Sequence, residues 1–266
     1  MLLTLAASAR LPVLIYHRVG PDDPDPRSRW LTVPTETFAR QMQHLARGGY
    51  TTVRPSDWLA HRRELRPLPA RPVLITFDDG YQDVATHAFP ILARHGFTAT
   101  TFVVTGQLGG TNAWDAATGF PERRLMSADE IRHWSARGFE FGGHSHRHIE
   151  LTRLAPDELD QELATCQREL AALVGAPVVS FAYPYGSHDQ RVREATARHF
   201  GVSFTVVEGI NDVHADPMAL FRTYVFPTDL MLDFGSRARL GFSVLRRVQA
   251  RVRLRSRIAK LLGREA

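Results

Sequence analysis

The chain is nearly without cysteine. Cys166 is the one cysteine in 266 residues, so no internal disulfide can form and a disulfide scaffold is excluded. Cys166 also falls within a helical pattern, which favours a buried small side chain over a nucleophile. Long apolar runs are missing as well. None approaches the roughly 18 residues that a membrane-spanning helix needs. Internal repeats and low-complexity linkers are absent. The composition, 44% hydrophobic and 23% charged, is that of a globular chain that can bury a core without crosslinks or a structural metal.

Charge is unevenly spread. Residues 236–266 hold ten Arg or Lys and a single acid, Glu265, whereas the rest of the chain is slightly acidic. The basic character therefore belongs to a tail and says little about the main domain. Apolar positions in residues 240–262 recur at helical spacing: Leu245, Val248, Val252, Ile258, Leu261 and Leu262 share a face flanked by arginines. This predicts a main domain over residues 11–235 and a basic amphipathic helix over 236–266. Such a helix either lies on an anionic membrane surface or packs on the domain with its arginines in water. Nucleic acid is not an expected partner, because nothing outside the tail supports it. Residues 1–9 end in Ala7-Ser8-Ala9, a small-residue pattern like a leader-cleavage site. They lack a basic start and are short for an export signal. A cytoplasmic location, peripheral at the membrane, is the expectation, and export stays open.

Short apolar runs alternate with helical patterns. Strands are expected at Leu11–Tyr16, Thr51–Val53, Val73–Phe77, Thr98–Val104, Phe139–Phe141, Val178–Ala182, Val202–Val206 and Arg222–Phe226. Helices are expected from Thr35, with a capping residue in Thr35-Glu36-Thr37, and over Val84–His95, Pro156–Leu173 and Asp189–His199. Another is expected after the capping box Ser127-Ala128-Asp129-Glu130. Such alternation means a parallel sheet covered by helices. At this length a distorted (β/α) barrel is the first choice, and an open doubly wound sheet the second. In a barrel, polar residues at strand ends meet on one face. His17, Asp78, Asp79, His144, His148, Tyr185 and Arg222 all fall at or near strand ends.

Two adjacent carboxylates, Asp78 and Asp79, follow an apolar strand. They repel each other unless compensated, and a divalent cation is the usual answer. The alternative is a plain Asp-Gly turn. His144 and His148 are spaced i,i+4. On a helical turn their rings would point the same way and could bind one metal, with His146 directed elsewhere. The alternative is a solvated loop. Two His and one Asp with open positions describe a catalytic rather than a structural metal site. Phe181-Ala182-Tyr183-Pro184-Tyr185-Gly186 leaves a strand through a tight aromatic turn, whose backbone N–H groups could face a substrate oxyanion.

These residues resemble the polysaccharide deacetylases of carbohydrate esterase family 4, the NodB-homology domain. Thr76-Phe77-Asp78-Asp79-Gly80 matches the family's first motif, His144-Ser145-x-x-His148 the second, and Phe181–Gly186 part of the third. The likeness covers about residues 11–226 and implies a distorted (β/α) barrel. It also implies Asp79, His144 and His148 as metal ligands and Asp78 as general base. Zinc is the first choice of metal, with cobalt, nickel or manganese suited to the same donors. Two departures stand out. Many members carry Arg where this chain has Ala182, and many carry a C-terminal Leu-x-His motif that supplies the general acid, which is absent here. Leu14-Ile15-Tyr16-His17-Arg18-Val19 is instead similar to the first strand of a circularly permuted branch that includes poly-N-acetylglucosamine deacetylases. That likeness makes His17 the acid, and Arg222 is a candidate to replace the missing Arg beside Asp78.

The implied reaction removes an acetyl group from an N-acetylated amino sugar in a glycan or lipid-linked saccharide, releasing acetate. Tyr185 would serve the oxyanion through its N–H. Trp114 and Tyr183 could offer apolar faces to a sugar ring or could be packing residues. The rival readings are an O-acetyl esterase, a non-sugar amidase of the same fold, and a non-catalytic sugar-binding barrel.

Overall fold

The computed structural model describes residues 10–64 and 66–248. The chain runs through β1 (Val13–Tyr16), β2 (Arg18–Gly20), β3 (Thr32–Pro34), α1 (Thr35–Arg47), β4 (Thr51–Thr52), α2 (Pro55–Glu64) and β5 (Pro72–Phe77). A π-helical turn, Val84–Ala88, leads into α3 (Phe89–Arg94), followed by β6 (Thr100–Val103), α4 (Ala128–Ser135) and β7 (Glu140–Gly143). The remaining elements are α5 (Pro156–Val174), β8 (Ser180–Ala182), α6 (Gln190–His199), β9 (Val202–Phe204), β10 (Thr223–Tyr224) and α7 (Met231–Leu240).

The main sheet is parallel, in the order β10-β1-β5-β6-β7-β8-β9, with β4 added beside β5. Its two ends meet just before β10. Leu220 bridges Phe204 in parallel, taking a bond from Thr205 N–H and donating one to the Ser203 carbonyl, both at 2.9 Å. The sheet therefore curls into a distorted (β/α) barrel whose last joint is one bridge, and the open doubly wound alternative is set aside.

Parallel strands covered by helices are apolar on both faces, yet the alternation of side chains still sorts them. Leu14, Tyr16, Val73, Ile75, Phe77 and Phe141 point outward and join α1 and α3 through Phe38, Met42 and Phe89. Leu11, Val13, Leu74, Phe102, Ala182 and Phe204 point inward, with Trp58 and Leu59 of α2 in the same cluster. Extending the inward parity past the strand ends reaches His17 after β1, Asp78 after β5 and His144 after β7. At β10 the inward positions are Arg222, just before the strand, and Tyr224 within it, while Val225 joins the outer cluster with Phe234 and Ala238 of α7.

Most expected elements are present, with shorter strands. Ser127 caps α4 as expected, accepting from Glu130 N–H while the Glu130 carboxylate accepts from Ser127 N–H. Asp189 caps α6 through Val192 N–H. Cys166 is fully buried. Three expectations are corrected. Thr35 is the first residue of α1 rather than its cap; Pro34 precedes it and provides no side-chain acceptor. The boundary expected between 235 and 236 falls inside α7, where Arg237 is fully buried and paired with Asp229 at 2.9 Å and Glu208 at 2.9 Å. The helix expected over 236–266 is broken at Gly241, which is left-handed at φ +73°. A Cβ there would lie 2.2 Å from the Gly209 carbonyl oxygen. A new helix starts at Val244, with Ser243 Oγ accepting from Arg246 N–H at 2.9 Å. The rest of the expected amphipathic helix, from residue 249, and the leader-like residues 1–9 lie outside the described residues.

Gly142 on β7 is needed for its missing side chain. A Cβ at this position would lie 2.6 Å from both the Phe102 ring and Ser180 Oγ. Gly142→Ala is expected to lower stability by about 1–3 kcal/mol through overpacking. Urea unfolding followed by tryptophan fluorescence checks this, and an unchanged midpoint would refute it.

Candidate active site

A cavity of about 370 Å³ opens on the barrel face that carries the strand C-termini, lined by His17, Asp78, Asp79, His144, His148 and Tyr185 among others. The two adjacent carboxylates reach it by different routes. Asp78 keeps the inward parity of β5. Asp79 would by parity point outward, but its backbone is left-handed at φ +71°, and the reversal brings its carboxylate back to the cavity. Each carboxylate has its own partners there, Arg222 for Asp78 and the two histidines for Asp79.

Asp78 is met by Arg222. The guanidinium donates to both carboxylate oxygens at 2.7 and 2.8 Å, to the Thr205 carbonyl at 2.9 Å and to Thr76 Oγ1 at 3.3 Å. It lies between the Phe102 and Phe204 rings, 5.5 and 5.9 Å from their centroids. Arg222 is fully buried and Asp78 nearly so. Burial pushes the Asp78 carboxyl up, but Arg222 and then His144 outweigh it, and its pKa ends below the ordinary aspartate value. The arginine that the third motif lacks at Ala182 thus has a counterpart in space, delivered by β10.

Asp79 Oδ1 sits 3.3 Å from Nε2 of both His144 and His148. Burial opposes its ionisation, but the two imidazoles hold its pKa well below the usual range. Each histidine has its other nitrogen engaged, which turns Nε2 inward. His144 Nδ1–H donates to the Ala182 carbonyl at 2.7 Å, and His148 Nδ1–H meets Tyr185 Oη at 3.1 Å. One carboxylate oxygen and two imidazole nitrogens, all within 4.8 Å of one another and all buried, suit a first-row divalent ion. Their convergence does not come from a helical turn. Residues 144–148 form a tight non-helical turn with Ser145 and His148 left-handed, at φ +62° and +57°. Ser145 Oγ accepts from His148 N–H at 2.9 Å, and buried Glu162 of α5 grips Arg147 at both its backbone N–H and its side chain. His146 points away, toward Thr105 and Glu169.

Asp79, Ser145, His148 and Tyr185 are the non-glycine residues with positive φ among those described. All belong to this site or to the turn that builds it. Left-handed backbone costs a non-glycine residue about 1–2 kcal/mol, and such strain gathers where side-chain direction matters more than stability.

His17 lines the same cavity, stacked on Tyr224 at 5.7 Å and edge-on to Trp30 at 6.1 Å. Burial lowers its pKa below the ordinary histidine value, with Asp79 and Asp78 acting against the shift. Tyr185 is 58% exposed at the mouth. Trp114 stacks on His148 with centroids 4.4 Å apart, so one of its faces backs a candidate ligand. Tyr183 borders the cavity but is 1% exposed. Its hydroxyl donates to the Met218 carbonyl and its ring stacks on His188, so it takes the packing alternative. Sequence reasoning missed Trp30, Tyr224, Glu162 and Asp115. Asp115 lines the cavity on the short helical turn Ala113–Thr118, and burial raises its pKa. No local pattern marked these four; only the fold brings them to the site.

Comparisons with known proteins point to one family. The chain is 26% identical over 222 residues to the Bacillus subtilis protein YxkH, named as a polysaccharide deacetylase, covering 82% of this chain and 72% of that one. It is 27% identical over 144 residues to the poly-β-1,6-N-acetyl-D-glucosamine N-deacetylase of Staphylococcus epidermidis, a match spanning 50% of this chain and 47% of that enzyme. Among solved structures, IcaB from Ammonifex degensii superposes with a TM-score of 0.73 at 25% identity, covering 87% of this chain and 96% of that one. The Streptococcus pyogenes deacetylase PplD shares the fold, with a TM-score of 0.73 at 23% identity over 83% of this chain and 94% of that one. Residues 66–203, just over half of the chain and including the carboxylate pair and both histidines, match the polysaccharide deacetylase family, and the chain belongs to that family of enzymes.

Proposed function

We propose that the chain is a metal-dependent N-deacetylase that hydrolyses the acetamide of an N-acetylated amino sugar, in a glycan or a lipid-linked saccharide, to acetate and a free amine. One observation carries this reading. A three-donor set (Asp79, His144, His148) and a separate, arginine-held carboxylate (Asp78) share one cavity with a histidine. The similarity to poly-β-1,6-N-acetyl-D-glucosamine N-deacetylases supports the substrate class. A divalent ion on the three donors, zinc as first choice, would supply a Lewis acid for the water and the acetyl carbonyl.

The chain's own residues do the rest. Asp78, kept ionised by Arg222, accepts the proton of the attacking water. The Tyr185 N–H serves the developing oxyanion. His17 gives a proton to the leaving nitrogen, which departs poorly as an amide anion. Tyr224 and Trp30 hold the imidazole in place. A non-catalytic sugar-binding barrel would not require the strained turn and the buried ion pair that this site maintains.

Asp78→Asn keeps the shape of the side chain and removes its basicity. Acetate release from N-acetylglucosamine oligomers is expected to fall by at least about 10²-fold, with one divalent ion per chain still bound in equilibrium dialysis. His144→Ala is expected to lose the ion as well. Near-normal turnover by Asp78→Asn would remove Asp78 as the base.

His17 separates the amide reading from the ester one. A general acid must be protonated, and the His17 pKa is lowered. Activity is therefore expected to fall as pH rises through a value below that of an ordinary histidine. His17→Asn should abolish this limb and cost about 10²–10⁴-fold on an acetamide, but much less on an acetate ester, whose alkoxide leaves more easily. Equal losses on both substrates, or an unchanged pH limb, would refute the acid role.

A further inference from the structure

We infer that the surface formed by the start of α7 and residues 243–248 docks on an anionic lipid bilayer. Leu230 and Leu232 are 65% and 86% exposed, and Val244, Leu245 and Val248 are 40–52% exposed. Three polar ties join the two segments. Ser243 Oγ donates to Asp233, Val244 N–H donates to Ser236 Oγ at 3.2 Å, and Arg246 pairs with Asp229 at 3.5 Å. The exposed aliphatic side chains therefore belong to one neighbourhood rather than being scattered singly. Exposed Arg246 and Arg247 lie in the same segment as Val244, Leu245 and Val248. From residue 249 the sequence adds Arg251, Arg253, Arg255, Arg257, Lys260 and Arg264 before or beside its only acid, Glu265.

Charge selects the occupant. Aliphatic side chains edged by cations match a bilayer interface, where Leu and Val enter the acyl boundary while guanidinium groups remain at anionic headgroups. A second copy of this chain would bring the same positive charge to the contact, and nucleic acid has no use for exposed leucines. Among the described residues no helix is long and apolar enough to cross a membrane, so the contact is peripheral. The surface also adjoins the cavity rim. Arg246 lies 3.9 Å over Phe226, Phe226 stacks on Tyr224 at 5.7 Å, and Tyr224 stacks on His17 at 5.7 Å. Together with the deacetylase reading, this favours an acetylated amino sugar held at the membrane over a finished soluble polymer.

The test uses the full-length chain, without substrate, in co-sedimentation with vesicles. One set is phosphatidylcholine alone and the other phosphatidylcholine with phosphatidylglycerol. Binding is expected to be at least about tenfold tighter to the anionic vesicles and to weaken with salt. Leu232→Glu with Leu245→Glu is expected to reduce it at least about tenfold. The double variant should keep the wild-type circular dichroism and its acetate release from soluble oligomers. Val244→Ser with Val248→Ser provides a milder second variant. The inference is overturned if the full chain binds neither vesicle, binds both equally, or binds anionic vesicles unchanged after both pairs of substitutions. It is also overturned if sedimentation velocity without lipid shows a dimer that the same substitutions abolish. Vesicle binding is read independently of acetate release, so a failure here is distinguishable from a failure of the deacetylase reading.

Discussion

The buried pair of Asp78 and Arg222 is the constraint to which the rest of the site answers. A carboxylate at the top of an apolar barrel would ordinarily keep its proton. Arg222 makes ionisation favourable, yet it is itself removed from water between two phenylalanine rings. Its charge is tolerated because four donor contacts reach Asp78, Thr205 and Thr76. Such pairs are poor investments for stability: apolar replacements of similar volume are often neutral or better, while deleting one partner costs about 3–5 kcal/mol. An ion pair kept here is best understood as a device that holds one carboxylate ionised in a dry place. Gly142 takes part from a distance, since its missing side chain makes room for the Phe102 ring that covers the guanidinium.

With Asp78 ionised and paired to Arg222, Asp79 is left to the two histidines. The division depends on a single backbone angle, the left-handed φ of Asp79. An extended residue there would send its carboxylate toward the outer helices, leaving His144 and His148 without their common partner. The same economy recurs in the histidine turn, where positive φ at Ser145 and His148 folds five residues back on themselves. Glu162 from α5 clamps that turn through Arg147, so an outer helix stabilises the strained conformation. Local strain and its support are thus found on different elements.

Much of this was legible in the sequence, for identifiable reasons. The alternation of apolar runs and helical patterns carried the barrel, because each element has a distinct period. The donor set was legible because Asp79, His144 and His148 lie in short, dense motifs. The geometry behind the motifs was not: the i,i+4 spacing suggested a helical turn, whereas a non-helical turn with left-handed residues achieves the convergence. Inward and outward parity could not be read from β5, since both of its faces are apolar and only the fold tells them apart. Tyr183 looked available to a sugar and is instead tied to Met218. Trp30 and Tyr224 are ordinary aromatics in sequence and become partners of His17 only through the barrel. The helical spacing of the tail's apolar positions suggested one helix over 236–266. Gly241, pressed against the Gly209 carbonyl, ends α7 instead.

The least conspicuous strand has the largest share in the site. β10 is two residues long, yet Arg222 just before it and Tyr224 within it lie on its inner face two residues apart. The first holds the candidate base, and the second stacks on the candidate acid. Between them Thr223 faces out and donates to the Gly241 carbonyl at the end of α7, while Val225 packs with Phe234 and Ala238 of that helix. The short strand that closes the barrel thus also positions both candidate residues, and α7 secures it from outside. This also accounts physically for the departure at Ala182. An arginine there would enter the same interior from β8 and compete with Arg222 for Asp78, Phe102 and Phe204. In a closed ring of strands the guanidinium can be supplied from a different strand, provided it arrives at the same carboxylate, and a small residue at position 182 is what leaves it room.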